Sequence, residues 1–432
     1  MAKIKITGIK GMNDMLPEEA GIWEKFEDTA RCVAGSYGYR QIRTPILEAT
    51  GLFSRGVGEA TDIVEKEMYS FTDSMNGEQL TLRPECTSAV CRCAIEHNIT
   101  YNAPQRLWYF GPMFRHERPQ RGRYRQFYQF GCEALGFGGP DVDIELLSLT
   151  ARLWKNLGIK ASLQLNSLGA TEERARHREA LVAYLKDNYD VLDEDARRRL
   201  ETNPLRILDT KNPDMQAMVE AAPRLLDFLG EAPRRFLGSL EAGVQALGID
   251  YTINPRLVRG LDYYNHTVFE WVTDQLGSQG TICGGGRYDP LIEMLGGRAT
   301  PAAGFAIGAE RVIELVRAAG GDKPVAACDI YVAHQGGHTE LVARQIGEQL
   351  RDAGHRVIVH AGSTSFKSSM KRADQSLAQW AVICGENEVN AGQVAIKRLR
   401  DAQGNQQFAE QMTIALESLS EIFGAAKEPD FS

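Results

Sequence analysis

The sequence predicts an α+β protein: a large domain built on a central antiparallel sheet, a helical insertion within it, and a small α/β domain after it. Three observations carry this. Residues 106–115 (RLWYFGPMFR) and 126–135 (QFYQFGCEAL) are strand-like runs joined by a short basic loop, the pattern of an antiparallel hairpin. Residues 171–246 are rich in Arg, Glu, Asp and Leu and poor in strand formers, so they read as helices inserted into the larger domain. After the linker at 318–324 (AAGGDKP), strand and helix patterns alternate to the end of the chain. The expected boundaries are 1–325 for the sheet domain, 171–246 for the insertion inside it, and 326–432 for the α/β domain, a common domain size. A length of 432 residues agrees, since it exceeds what one hydrophobic core usually supports.

Taken in order, residues 14–34 read as a capped amphipathic helix. Pro17 suits its first turn, and Ile22, Trp23, Phe26, Ala30 and Val33 recur at helical spacing. Residues 39–47 read as extended, with Pro45 inside. Proline removes a ladder donor, so this strand belongs at an edge or an interface. A further strand is expected at 266–273, a glycine turn at 283–286, and a short strand at 304–308 feeding a helix near Glu310. In the last domain, strands are expected at 329–333, 356–360, 380–384 and 394–399, with helices at 340–353, 367–377 and the end.

Hydrophobic residues make up 43 % of the chain and charged residues 25 %, an ordinary soluble composition. No apolar run approaches a bilayer span, and residues 1–11 have no signal-like apolar core, so a cytoplasmic protein without a membrane partner is expected. The formal net charge of −8 argues against indiscriminate nucleic-acid binding but not against local basic patches. None of the eight cysteines forms a Cys-x-x-Cys pair. Cys91, Cys93 and His97 lie on an apolar helix-like stretch and read as packing, so no protein-bound metal is expected.

The chemistry concentrates in arginines. Arg115, Arg118, Arg121, Arg123 and Arg125 crowd the hairpin loop. Arginine presents a planar fork that matches phosphate bidentately. Arg115 closes an aromatic strand, which puts it at the rim of a buried site; for the loop tip, a solvated charged turn reads as well. On the return strand, side chains alternate. Tyr128, Phe130, Cys132 and Ala134 share a core face, and Gln129, Gly131 and Glu133 form a polar platform on the other, where the glycine permits close ligand approach. Glu85 and Thr87 lie in a polar turn before a helix. Arg259, Gly260, Asp262, Tyr263 and Tyr264 make a dense cluster. Gly284, Gly285 and Gly286 let backbone approach something closely. Arg311 sits in a helix's first turn, an end that prefers negative charge, so it more naturally serves a bound phosphate. No P-loop, Rossmann fingerprint or nucleophile elbow is present, which leaves the arginines to hold any nucleotide.

In this order the segments resemble the class II aminoacyl-tRNA synthetases, and within them the histidyl-tRNA synthetase family. The Pro45 strand is similar to class motif 1, Phe114–Glu117 through Glu133 to motif 2, and Gly304 to Arg311 to motif 3. Residues 257–264 (LVRGLDYY) and 283–289 (CGGGRYD) resemble the two signatures of the histidine-specific enzyme; Cys86 and His266 depart from the usual Gly and Arg. The resemblance implies the class II synthetase fold and ATP, with Mg2+ accompanying the pyrophosphate, as the substrate complex. It implies histidyl-adenylate formation and transfer of histidine to the 3' end of tRNA(His), in a homodimer joined through motif 1. Arg115 and Arg259 would bracket the α-phosphate, with Gln129 beside them, and Arg311 and Arg123 would hold the outer phosphates. Glu85, Thr87 and Gln129 would hold the amino acid's α-amino group and carboxylate. Glu133 and Tyr264 would bond the two imidazole nitrogens and Tyr263 would wall the ring. Arg118, Arg121 and Arg123 would meet the tRNA acceptor end. The last domain would read the anticodon, and Lys367, Lys371, Arg372, Lys397, Arg398 and Arg400 supply its basic content.

Overall fold

The computed structural model describes residues 6–58, 61–259, 261, 263–277, 280–321, 325–362, 365–401, 404–407 and 410–424. Gly260 and Asp262 of the arginine–tyrosine cluster and residues 322–324 of the linker lie outside them. The chain divides into two compact units, Met1–Asp322 and Lys323–Ser432.

The first unit contains the strands β1 (Arg40–Gln41), β2 (Leu47–Ala49), β3 (Tyr69–Thr72), β4 (Gln79–Leu82), β5 (Gln105–Phe114), β6 (Gln126–Leu135), β7 (Ser162–Ser167), β8 (Tyr251–Ile253), β9 (Asn265–Val272), β10 (Thr281–Arg287) and β11 (Ala302–Gly308). Eight of them form one sheet in the order β1-β5-β6-β11-β10-β9-β7-β8. Its six central strands pair antiparallel, and a short parallel strand closes each edge. The expected hairpin is β5–β6, in register from Gln105↔Leu135 to Phe114↔Gln126. Strands β2, β4 and β3 form a second, small sheet that the sequence reading missed.

One face of the large sheet is dry core. Ile22, Phe26, Ala30 and Val33 of the helix Pro17–Ser36 pack there with Phe130, Cys132 and Ala134 and with Leu146, Leu149 and Leu153 of the helix Pro140–Leu157. Each fully buried side chain of this kind stabilises by ~1.5–3 kcal/mol relative to exposure. The helix Pro17–Ser36 begins with Pro17 at its first turn as expected, but its N-cap is Leu16, with no side-chain cap. The expected strand at 39–47 is instead two short edge strands, β1 and β2, and Pro45 lies in the irregular stretch between them.

The helix Thr87–Glu96 packs on the opposite face, where Cys91 is core. Within 171–246 the described elements are helical throughout, beginning with Thr171–Asp187 and ending with Glu231–Ala246. Leu181, Leu185, Leu200 and Ile207 give that segment a core of its own.

The residues 283–286, expected as a turn, are instead the middle of β10. Three consecutive glycines remain extended there because both neighbouring strands crowd them. A side chain at Gly285 would strike the Gly304 carbonyl, and one at Gly286 the Thr267 carbonyl.

The second unit carries β12 (Ile330–His334), β13 (Val357–Val359), β14 (Trp380–Cys384), β15 (Gln393–Arg398) and β16 (Met412–Ala415), in the order β13-β12-β14-β15-β16. Helices His338–Asp352 and Phe366–Gln375 make the crossovers between the parallel strands β12, β13 and β14. The alternation was readable; β16 and the five-residue helix Glu386–Asn390 were not, since each is short, the helix is mostly polar and β16 is largely exposed.

Candidate active site

A cavity of ≈ 290 Å³ opens on the sheet face opposite the dry core. Arg115, Arg123, Arg259, Arg311, Glu85, Thr87, Gln129, Tyr263 and Tyr264, drawn from segments far apart in the chain, all line it. Arg118 and Arg121 do not; both are exposed on the hairpin loop, where Arg121 pairs with Glu314 at 2.6 Å.

Each arginine is held by protein partners at the cavity wall. Arg115 donates from Nε to the Pro84 carbonyl at 2.9 Å, and its guanidinium carbon lies 5.1 Å from the Phe127 ring centroid. Arg259 pairs with Glu270, whose other oxygen accepts from the Thr281 hydroxyl at 2.9 Å. The guanidinium carbon of Arg259 also lies 5.5 Å from the Tyr264 ring centroid. Arg123 pairs with Glu117 at 2.5 Å. Arg311 donates to the carbonyls of Gly122 at 3.1 Å and Thr281 at 2.5 Å. Burial, then the neighbouring charges of Arg123 and Arg115, push the Arg311 pKa down. Burial and repulsion from Arg123 and Arg115 thus disfavour the charge on Arg311 despite the opposing pull of Glu117 and Glu270, a strain that a bound anion such as phosphate would relieve.

Next to these cations lies a hydrogen-bonded carboxylate pair. Glu85 accepts from the backbone N–H groups of Thr87 at 2.7 Å and Ser88 at 3.0 Å, and so caps the helix Thr87–Glu96. Thr87 donates its hydroxyl to Glu133 at 2.7 Å, and Tyr288 donates to the other oxygen of Glu133. Glu133 is fully buried beneath the cavity and is not part of its lining. Burial pushes its pKa from an ordinary 4.5 to about 8, against the opposing pull of the Tyr288 and Thr87 hydroxyls.

The polar platform of Gln129, Gly131 and Glu133 thus differs in detail from the expectation. The space above Gly131 is filled by Tyr109, its partner across β5–β6: a side chain at 131 would collide with the phenol end of that ring. The glycine makes room for a protein side chain rather than for a ligand.

Two cross-chain bonds position the segment before β9. Asn166 donates to the Leu257 carbonyl at 2.9 Å, and Arg174, from the first inserted helix, donates to the Tyr264 carbonyl at 2.5 Å. The insertion is therefore tied directly to the tyrosine pair.

The family model for histidyl-tRNA synthetase matches residues 11–312, and an anticodon binding domain model matches residues 329–425. The chain belongs to the histidyl-tRNA synthetase family. It is 58 % identical over 422 residues to histidine–tRNA ligase of Paraburkholderia phymatum, covering 96 % of this chain and 95 % of that protein. Histidine–tRNA ligase of Bordetella avium is 57 % identical, with 97 % of each chain covered. The crystal structure of apo S. aureus histidyl-tRNA synthetase superposes with a TM-score of 0.79 at 34 % identity, covering 97 % of this chain and 100 % of that one.

Family membership rests on the whole chain, whereas several site residues were invisible in the motifs. Tyr109 was absorbed into an aromatic strand. Glu270 sits in a strand whose neighbours are apolar. Tyr288 was noted as part of a signature without a role. Strand alternation gave a usable signal for Glu270, because Val268, Glu270 and Val272 share one face of β9. No described helix is long and apolar enough to cross a membrane.

Proposed function

We propose that this chain is a histidine–tRNA ligase: it activates L-histidine with ATP to histidyl-adenylate and pyrophosphate, then transfers the histidyl group to the 3' end of tRNA(His). The observation that carries the reading is one cavity lined both by four arginines and by a polar amino-acid pocket. The catalytic work falls to 1–325 with its insertion at 171–246, and anticodon reading to 326–432.

In the first step a carboxylate oxygen of histidine attacks the α-phosphorus while the bond to the β-phosphate oxygen breaks. No protein nucleophile is required; the demand is for alignment and for positive charge where the phosphate gains negative charge. Arg115 and Arg259 supply it at the α-phosphate. Arg311 and Arg123 hold the pyrophosphate, which enters with ATP as a magnesium complex. Gln129, with its side-chain oxygen buried and unpartnered, meets the α-amino group. Glu85 and Thr87 shape the same end, and Glu133 with Tyr263 and Tyr264 holds the imidazole. In the second step the terminal ribose hydroxyl attacks the carbonyl carbon, the acyl–phosphate bond breaks and AMP departs. Arg118 and Arg121, exposed beside the cavity mouth, guide the acceptor end together with Arg123. The edge strand β1 and the Pro45 segment supply the homodimer contact.

The test is amino-acid-dependent ATP–pyrophosphate exchange across the twenty amino acids. Exchange with histidine alone is expected; exchange driven by any other amino acid overturns the reading.

A further inference from the structure

Arg83 is only 5 % exposed, and it does not line the cavity that the four arginines share. A buried guanidinium is costly unless its donors are satisfied. Here Nε donates to the Pro112 carbonyl at 3.0 Å, and Nη1 to the Thr44 carbonyl at 3.1 Å and the Thr44 hydroxyl at 3.0 Å. The Pro45 carbonyl at 3.4 Å and the Cys86 sulfur at 3.9 Å are within reach of the same nitrogen. The backbone continues the pattern. Arg83 donates its N–H to the Ile46 carbonyl at 2.9 Å, and its own carbonyl accepts from the Phe114 N–H at 3.0 Å. One residue therefore joins the stretch 44–46 to the end of β5. Pro45 and Pro112 have no N–H, so these stretches are short of donors, and the guanidinium supplies them.

This anchor bears on the cavity through the next residue. The Pro84 carbonyl accepts from Nε of Arg115 at 2.9 Å. The pyrrolidine ring locks φ at Pro84, so that carbonyl follows the placement of Arg83 with one torsion fewer to absorb an error. On its other side Glu85 is fixed by the N–H groups of Thr87 and Ser88. Arg115 also follows directly on Phe114, whose N–H bonds the Arg83 carbonyl. Both the backbone and the side chain of Arg115 are thus referenced to Arg83. Gly111 keeps the space for the guanidinium: a side chain there would put its Cβ 2.5 Å from Nη2 of Arg83 and 3.7 Å from the guanidinium carbon.

We propose that Arg83 is a positioning residue for the activation step: its guanidinium, seated against Gly111 and bonded to Thr44 and Pro112, holds the Pro84 carbonyl where that carbonyl orients Arg115 toward the α-phosphate. This rests on the histidine-activation reading given above.

The test is a double-mutant cycle of Arg83→Lys and Arg115→Lys in the full-length protein, read by histidine-dependent pyrophosphate exchange. Lysine at 83 keeps the charge, but its single ammonium cannot reach Thr44 and Pro112 together. Lysine at 115 keeps a cation in the cavity and removes the Nε–H that bonds Pro84. In the wild-type background Arg83→Lys is expected to lower kcat roughly ten-fold, with KM for histidine and for ATP within about two-fold, as when an interaction is lost only in the transition state. In the Arg115→Lys background the same change should cost less than about two-fold, because the link it acts through is already gone. Gly111→Ala, which crowds the guanidinium without removing it, should reproduce the kcat loss in the wild-type background. Unchanged kcat in a folded Arg83→Lys protein overturns the inference. So do equal losses in the two backgrounds, which show that Arg83 does not act through Arg115. Should Arg83→Lys not fold, Gly111→Ala takes its place in the cycle, and loss of folding by both overturns the inference, since the role is then structural. Wild-type protein assayed alongside separates the two claims. If it exchanges with histidine while the losses are equal, only the Arg83 assignment fails; if it answers to another amino acid, the reading beneath it fails first.

Discussion

A side chain at Gly284 would put its Cβ 2.5 Å from Nη1 of Arg259, 2.6 Å from Nη2 and 2.7 Å from the guanidinium carbon. Three nearly equal distances mean that the guanidinium lies face-on against the bare backbone of β10. Glycine is the residue that leaves that seat open, and Glu270 fixes the arginine's rotation within it.

Gly284→Ala is therefore expected to displace Arg259 from its place at the α-phosphate while leaving the other proposed substrate-contacting residues where they are. Misplacing a positioned group by about 1 Å costs on the order of a hundred-fold in rate. The loss should appear in kcat of histidine-dependent pyrophosphate exchange, with only a small change in melting temperature. Normal exchange by a folded Gly284→Ala variant would show that Arg259 is not needed where the structure puts it.

Much of this was legible beforehand, for identifiable reasons. The β5–β6 hairpin and the last domain's alternation announce themselves through periodicity, because burial on one face writes itself into every second residue or every third and fourth. The arginine set was legible because arginine is an unusual choice for a loop that merely needs solubility. What the sequence hid is mutual accommodation. Nothing in 283–286 says that its glycines are extended backbone seating Arg259, rather than a turn. Nothing in Gly131 says that Tyr109, twenty-two positions earlier, occupies its space. Glu133 looked like a lining residue because its face was right; its depth beneath Thr87 and Tyr288 depends on contacts between strands and a helix that alternation does not encode.

Glu133 gives a pH signature with a defined sign. Its folded pKa is about 8 against an ordinary 4.5, so between those values the folded state holds a proton that the unfolded chain has released. Stability from this group is full below the unfolded pKa, falls as pH rises, and is gone above about 8. The melting temperature of wild type relative to Glu133→Gln should therefore decline across that interval and level off beyond it. In exchange assays, Glu133→Gln should raise KM for histidine by roughly ten-fold or more while altering KM for ATP by less than about two-fold. A flat stability difference across the interval would remove the case for a buried, proton-holding Glu133. Equal losses for both substrates would count against its place in the amino-acid pocket.

Arg121 should separate the two half-reactions. It is 80 % exposed, and its partner Glu314 lies in the helix that also carries Arg311, so the pair tethers the loop beside the cavity without entering it. An exposed ion pair holds a long side chain only weakly, and the guanidinium is free to exchange Glu314 for a nucleic-acid phosphate. Arg121→Ala is expected to leave pyrophosphate exchange within about two-fold, since no ligand phosphate of the first step depends on it. Aminoacylation should show KM for tRNA raised several-fold. Its dependence on salt should become shallower by roughly one phosphate's worth, the counterion-release signature of a lost backbone contact. If exchange fell as far as aminoacylation, Arg121 would belong with Arg123 and Arg311 at the nucleotide, and the boundary drawn along the loop between ATP and tRNA would have to move outward past residue 121.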